Sequence, residues 1–192
     1  MFCGSSPGRD PAFVAAADEL GRTLAERGIT VVYGGGSAGL MGALATGALD
    51  AGGHVIGVLP AGLFPDGVTA SPQRAHHRGT FEVEHTADMH ARKARFHDLA
   101  DGYVVLPGGL GTLEEMAEVA TWAQIGLHDN PIGFLDVGGY YDDLFAFFDR
   151  TVADGFVRAA NREQLYCAPS VAALLDLLDA HEPRVEPKWI EP

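Results

Sequence analysis

At 192 residues, 47% hydrophobic and 20% charged, the chain has the size and composition of one ordinary globular domain. Its net charge of −13 argues against a nucleic-acid binder, which needs a basic surface, yet allows a small anionic ligand because surface charge is screened over roughly 8–10 Å. No apolar run approaches the ~18 residues of a membrane span, Met1–Ser6 lacks the regions of a signal peptide, and Cys3 and Cys167 alone make no disulfide framework; a reducing, cytoplasmic setting is expected.

Strand-like and helix-like segments alternate along the chain, the pattern of a Rossmann-like α/β fold, a doubly wound parallel sheet with helices on both faces. Met1-Phe2-Cys3 is all that precedes the first glycine turn, so either the first strand is very short or a few native residues are missing from this N-terminus. Asp10-Pro11 reads as an N-cap with proline at the first helical position, and the periodic run Phe13, Val14, Ala17, Leu20, Leu24 ends at Gly28. Ile29–Tyr33 is a strand, Ala38–Ala51 a helix of small residues, and His54–Leu59 the next strand. Pro60–Gly79 reads as a loop, Phe81–Glu84 as a short strand and Thr86–Ala100 as a helix.

Tyr103–Leu106 is a strand, Thr112–Leu127 a strong helix, Ile132–Val137 a strand and Tyr140–Ala153 a helix. Gln164–Cys167 and Val171–His181 complete the pattern as strand and helix. One domain over residues 1–181 is expected, with 182–192 as a proline-rich tail.

Three glycine turns follow strands: Gly4-Ser5-Ser6, Gly34-Gly35-Gly36 with Gly39 and Gly42, and Gly108-Gly109 with Gly111. Glycine lets backbone approach an anion, and a helix N-terminus offers unsatisfied N–H groups and partial positive charge. Tight turns alone are the plain alternative. Neither the dinucleotide fingerprint nor a Walker A lysine is present.

On the helix with Met89-His90-Ala91-Arg92-Lys93, residues Met89, Phe96 and Ala100 share a stripe. Arg92 and Lys93 fall roughly 40–60° to either side of it. Such cations either meet an anionic partner or snorkel to water from the helix margin. Thr112-Leu113-Glu114-Glu115 has capping-box spacing, in which Glu115 accepts from the Thr112 N–H; the sharper reading makes Glu115 a carboxylate for catalysis. His76, His77, His85, His90 and His97 invite a metal reading, but no His-Glu-x-x-His or cysteine partner set accompanies them, so neither a metal nor a cofactor is expected. Cys3 reads as a small apolar residue at a strand end. Trp122, Ile125 and Leu127 form either core or a dimer face.

Pro107-Gly108-Gly109-Leu110-Gly111-Thr112-Leu113-Glu114-Glu115 resembles the PGGxGTxxE motif of the Lonely Guy (LOG) family, the cytokinin riboside 5′-monophosphate phosphoribohydrolases. Met89–Lys93 resembles their MHxRK motif. Phe2–Ser6, Tyr33–Gly42 and Thr121-Trp122-Ala123-Gln124 look like further family segments, so the likeness spans Phe2 to about Leu178.

The resemblance implies hydrolysis of the base–ribose bond of a nucleoside 5′-monophosphate, N6-prenylated AMP or AMP itself, to free base and ribose 5-phosphate. Arg92 and Glu115 match positions that the family uses for catalysis. Ser5, Gly35, Gly36, Met89, Lys93, Gly108, Gly109, Leu110, Gly111, Thr112, Glu114 and Thr121 match positions that contact nucleotide. Short members of this kind look like homodimers with the site near the subunit interface.

Proteins of this type have also carried a lysine decarboxylase label, for which this sequence shows no pyridoxal motif. One departure lies in the loop after Leu59, where a glutamate common in the family falls near Gln73, next to Arg74. Two other readings stand beside the resemblance: a broader nucleotide nucleosidase for salvage, and a non-catalytic module like the molybdenum-cofactor carriers. The carrier would need neither Arg92 nor Glu115.

Overall fold

The structure is a computed structural model that describes residues 1–62 and 77–183. The chain divides into two compact units, Met1–Ala100 and Asp101–Pro192. Each holds a three-stranded sheet whose pairings are all parallel, with helices packed on the strands. The Rossmann-like α/β class read from the sequence is the class observed.

In the first unit, α1 (Pro11–Glu26) starts as expected: the Asp10 carboxylate accepts from the Ala12 N–H at 2.8 Å, with proline in the first turn. Gly28 then turns the chain at φ +72°. Strand β1 (Val31–Tyr33), α2 (Gly39–Asp50) and β2 (His54–Pro60) follow. Strand β3 (Thr80–Thr86) is longer than the sequence suggests because it pairs with β2 along its whole length, from His54–Thr80 to Pro60–Thr86. Helix α3 (Met89–Leu99) begins three residues later than expected, since Asp88 takes the cap and accepts from the Ala91 N–H at 2.8 Å. Ala100 lies beyond it in extended conformation rather than on its stripe.

Strand β2 is central, and the core gathers around Leu20, Val31, Tyr33, Leu44, Val55 and Val58, none more than 1% exposed. Helices α1 and α2 cross at backbone contact. A Cβ at Gly21 would lie 2.1 Å from the Leu44 oxygen, and one at Gly47 2.3 Å from the Asp18 oxygen. The small-residue composition of α2 is thus a packing requirement. The expected first strand shrinks to an isolated bridge at Phe2, while the terminal amine donates to the Val32 carbonyl at 2.9 Å. Phe2 and Cys3 are both buried.

The second unit runs β4 (Tyr103–Val105), α4 (Leu110–Gln124), β5 (Ile132–Leu135), a 3₁₀ turn at Val137–Gly139, α5 (Asp142–Ala153), α6 (Ala159–Glu163), β6 (Leu165–Ala168) and α7 (Val171–Asp179). Strand β5 is central. Phe134 on it meets Tyr141, Phe145 and Phe148 edge-on at 5.0–6.4 Å, so α5 is attached through its aromatic residues. The five-residue α6 was not anticipated. The helix expected from Tyr140 starts at Asp142 instead, because Gly138 and Gly139 take positive φ and reverse the chain first.

Candidate active site

The residues expected on α3 sit at one end of the first sheet. The last β1–β2 pair is Tyr33–Gly57, so the carbonyls of Gly34 and Val58 lie one residue beyond that ladder. Arg92 meets both of them. Its Nε donates to the Val58 oxygen at 3.0 Å and Nη2 to the Gly34 oxygen at 3.3 Å. Nη1 lies 3.9 Å from the Met89 sulfur, and the guanidinium stands 5.0 Å from the centre of the Phe96 ring.

Arg92 is only 6% exposed. The snorkelling alternative therefore fails for this residue, and the helical stripe that faces inward is Arg92 with Phe96. Lys93 and Met89 are half-buried. Burying a guanidinium is costly unless its donors are used, and two backbone oxygens use them here.

Glycine is required for this seat. A Cβ at Gly34 would lie 2.4 Å from Arg92 Nη2. Gly35 is buried at φ +74°, with Leu59 at 2.7 Å from where its Cβ would stand, and Gly36 is half-buried against Met41. The N-terminus of α2, however, is already engaged. The amides of Leu40 and Met41 donate to the Gly4 carbonyl at 3.1 and 3.4 Å, and Gly39, at φ +60°, lies against the Ser5 backbone. The first two glycine turns are thus packed on each other, which explains their glycines without an anion. Ser5 is exposed.

The third turn differs. Helix α4 starts at Leu110 with Gly109 as its cap and no side chain capping it. Thr112 is therefore inside the first turn rather than at the cap, and the capping-box reading of Glu115 falls. Among the described residues, the amides of Gly109, Leu110, Gly111 and Thr112 have no acceptor; the first bond onto the cap is Leu113 N–H to the Gly109 oxygen at 3.1 Å. A Cβ at either Gly109 or Gly111 would meet nothing within 4 Å, so the turn is open. Four donors at the positive end of a 15-residue helix suit an anion.

Thr112 is buried, Glu115 is half-buried one turn further on, and Glu114 and Leu110 are exposed, Leu110 by 86%. Thr121 is exposed and spends its hydroxyl on the Ala117 oxygen at 2.7 Å. Gln73, Arg74 and His76 lie outside the described residues.

Two residues missed in the sequence hold this turn. The Tyr141 hydroxyl donates to the Leu106 oxygen and the Tyr140 hydroxyl to the Gly108 oxygen, each at 2.6 Å. Only the glycine pair at 138–139 hinted at a sharp turn there. Three of the described histidines have these partners: His54 has Glu82, His77 has Asp50, and His128 has the Val119 carbonyl.

Comparisons with known proteins agree with these motifs. A family model described as possible lysine decarboxylase matches residues 41–178. Cytokinin riboside 5′-monophosphate phosphoribohydrolase LOG1 of Arabidopsis thaliana is 45% identical over 186 residues, covering 97% of this chain and 84% of that protein. The chain belongs to the LOG family. A second member, cytokinin riboside 5′-monophosphate phosphoribohydrolase LOG of Oryza sativa subsp. japonica, is also 45% identical, over 97% of this chain and 74% of its own.

Among solved structures, the molybdenum cofactor binding protein of Rippkaea orientalis superposes with a TM-score of 0.66 at 22% identity, over 91% of this LOG chain and 92% of its own. The Moco carrier protein of Chlamydomonas reinhardtii gives 0.63 at 26% identity, over 93% and 96%. At such distances the likeness is one of fold.

Proposed function

We propose that this LOG-family chain hydrolyses the N-glycosidic bond of adenosine 5′-monophosphates, N6-modified ones included, to free base and ribose 5-phosphate. The observation that carries the reading is the open first turn of α4, with four amides and a carboxylate one turn beyond them. Water adds to the anomeric carbon as the carbon–nitrogen bond breaks, and the base leaves with a proton. Positive charge grows on the ribose ring during that step. Glu115 is assigned to stabilise it and to take the proton from water.

The 5′-phosphate is assigned to the amides of Gly109, Leu110, Gly111 and Thr112. Binding energy from the phosphate then positions the sugar. Arg92 is assigned to orient the substrate, with Lys93 adding positive charge and Met89, Ser5, Gly35, Gly36, Gly108, Glu114 and Thr121 as further contacts.

The test is base release from isopentenyl-AMP, AMP, CMP and adenosine by the purified protein. Faster hydrolysis of the two adenine monophosphates than of CMP and adenosine supports the proposal. Equal turnover of AMP and adenosine removes the phosphate anchor, and no release from any of them removes the enzyme. Faster hydrolysis of isopentenyl-AMP than of AMP points to cytokinin activation, and equal rates to general salvage.

A single domain over 1–181, a homodimer and a cytoplasmic setting belong to the same proposal. The exposed Leu110, Ile125 and Leu127 support the dimer, and two free thiols support the cytoplasm. Sedimentation of the purified protein checks the dimer.

A further inference from the structure

The Gly108–Gly109 peptide precedes the open turn of α4 and has unusual freedom. Glycine flanks it on both sides. Rotating this peptide by about 180° carries φ of Gly109 from −101° into the positive region, which glycine enters at little cost. The chain is open on the Gly109 side, where a Cβ would meet nothing within 4 Å. A peptide is planar and trans, so its C=O and N–H point in opposite directions. The orientation that turns the Gly108 oxygen away from the anion site is the one that turns the Gly109 N–H toward it.

One contact holds the peptide in its observed orientation. The Tyr140 hydroxyl donates to the Gly108 oxygen at 2.6 Å. Tyr140 is itself held in place. Gly138 and Gly139 at φ 66° and 75° bring it round after β5, and its ring stands edge-on to Tyr141 at 5.0 Å. Tyr141 is 2% exposed and anchored at both ends: its N–H donates to Asp136 Oδ1 at 2.8 Å and its hydroxyl to the Leu106 oxygen at 2.6 Å. The peptide on which Tyr141 acts ends in Pro107, which has no N–H to aim. Tyr140 acts on a peptide that does.

We infer that Tyr140 is a positioning residue for substrate phosphate: its hydroxyl fixes the Gly108–Gly109 peptide so that the Gly109 N–H joins the donors at the start of α4. The inference rests on the assignment of the 5′-phosphate to that turn. Tyr140 touches neither the ribose nor the base in this role. Its loss should weaken phosphate recognition and leave the chemical step alone.

The experiment is Tyr140→Phe, which keeps the ring and its contact with Tyr141 and deletes one hydroxyl. KM for AMP is expected to rise about tenfold with kcat within about twofold, the pattern of lost uniform binding. Inhibition by inorganic phosphate should weaken by the same factor. Residual turnover of adenosine, which has no phosphate, should not change.

Tyr141→Phe serves as the contrast, because it leaves the buried Leu106 oxygen without its donor. Its melting temperature should fall, with no selective loss for AMP over adenosine. Unchanged KM and phosphate inhibition in Tyr140→Phe overturn the inference while leaving the phosphate site standing. A wild-type protein that phosphate does not inhibit, and that prefers AMP no more than adenosine, overturns both. An equal loss for AMP and adenosine in Tyr140→Phe makes the tyrosine merely structural and also overturns it.

Discussion

Replacing Gly34 by alanine tests how tightly the seat of Arg92 is drawn. The new methyl would stand 2.4 Å from Arg92 Nη2, whereas ordinary contact begins near 3.4 Å, so the guanidinium must retreat by about 1 Å. Its bond to the Gly34 oxygen is already 3.3 Å long and does not survive that shift. Losing a hydrogen bond to a charged group costs about 1.5–3 kcal/mol. For a protein of this size that is a fall of roughly 3–12 °C in Tm. A displacement of 1 Å at a group that orients substrate costs on the order of 100-fold in rate.

The assay is base release from AMP by wild type, Gly34→Ala, Arg92→Ala and the double variant, with a thermal melt of each. Because the methyl acts through the arginine, the double variant should be no slower than Arg92→Ala alone. Full activity in Gly34→Ala beside an inactive Arg92→Ala would refute the reasoning. So would additive losses in the double variant.

Two further substitutions read different parts of the molecule. Glu115→Gln should lower kcat roughly 100- to 10,000-fold, because the amide cannot take the proton from water; near-normal turnover would end its role as base. His128 tests stability against pH. Burial holds its pKa below the ordinary value, against opposing contributions from the Val119 carbonyl and Asp129.

The ring is neutral with its proton on Nε2, which faces the Val119 oxygen at 2.9 Å, while Nδ1 accepts from the Asn130 N–H at 3.2 Å. The unfolded chain therefore takes up this proton at higher pH than the folded one. Stability from His128 is complete above about pH 6.5 and is lost as pH falls through that value toward the folded pKa. The urea midpoint should drop between pH 7 and 5, and less steeply in His128→Gln; identical slopes would contradict the assignment.

Local signals in the sequence carried the elements with strong periodicity and caps. Asp10-Pro11 and Gly28 bound α1 as read, and the glycine turns do follow strands. The start of α4 was misread for an identifiable reason. Thr112 and Glu115 have capping-box spacing, which places the helix start at Thr112 in the sequence. An uncharged glycine, Gly109, takes the cap three residues earlier.

The other misses are non-local. The fate of Arg92 depends on oxygens 34 and 58 residues away, and those of Tyr140 and Tyr141 on carbonyls 32 and 35 residues away. No window along the chain contains both partners. Periodicity placed Arg92 at a helix margin because it counts side chains and not the acceptors waiting at a strand end.

Those acceptors have a common origin. A parallel strand that ends leaves carbonyls past its last pair, and buried carbonyls need donors. Gly34 and Val58 lie beyond the β1–β2 ladder, and Leu106 and Gly108 follow β4. Arg92, Tyr140 and Tyr141 supply the donors, and each is thereby fixed beside a segment assigned to substrate. Satisfying the backbone and organising the site are then one act.

The consequence is a division among the site residues. Arg92→Ala strips two carbonyls of their donor and should lower both Tm and kcat. Lys93→Ala and Glu115→Gln leave those carbonyls their donor, and should lower activity with a smaller fall in Tm. Arg92→Lys is the sharpest of the set. One ammonium cannot span the Val58 and Gly34 oxygens as the planar fork does, so charge is kept and geometry is lost. If the lysine variant kept wild-type kcat and Tm, charge alone would suffice and the strand-end account of this site would be wrong.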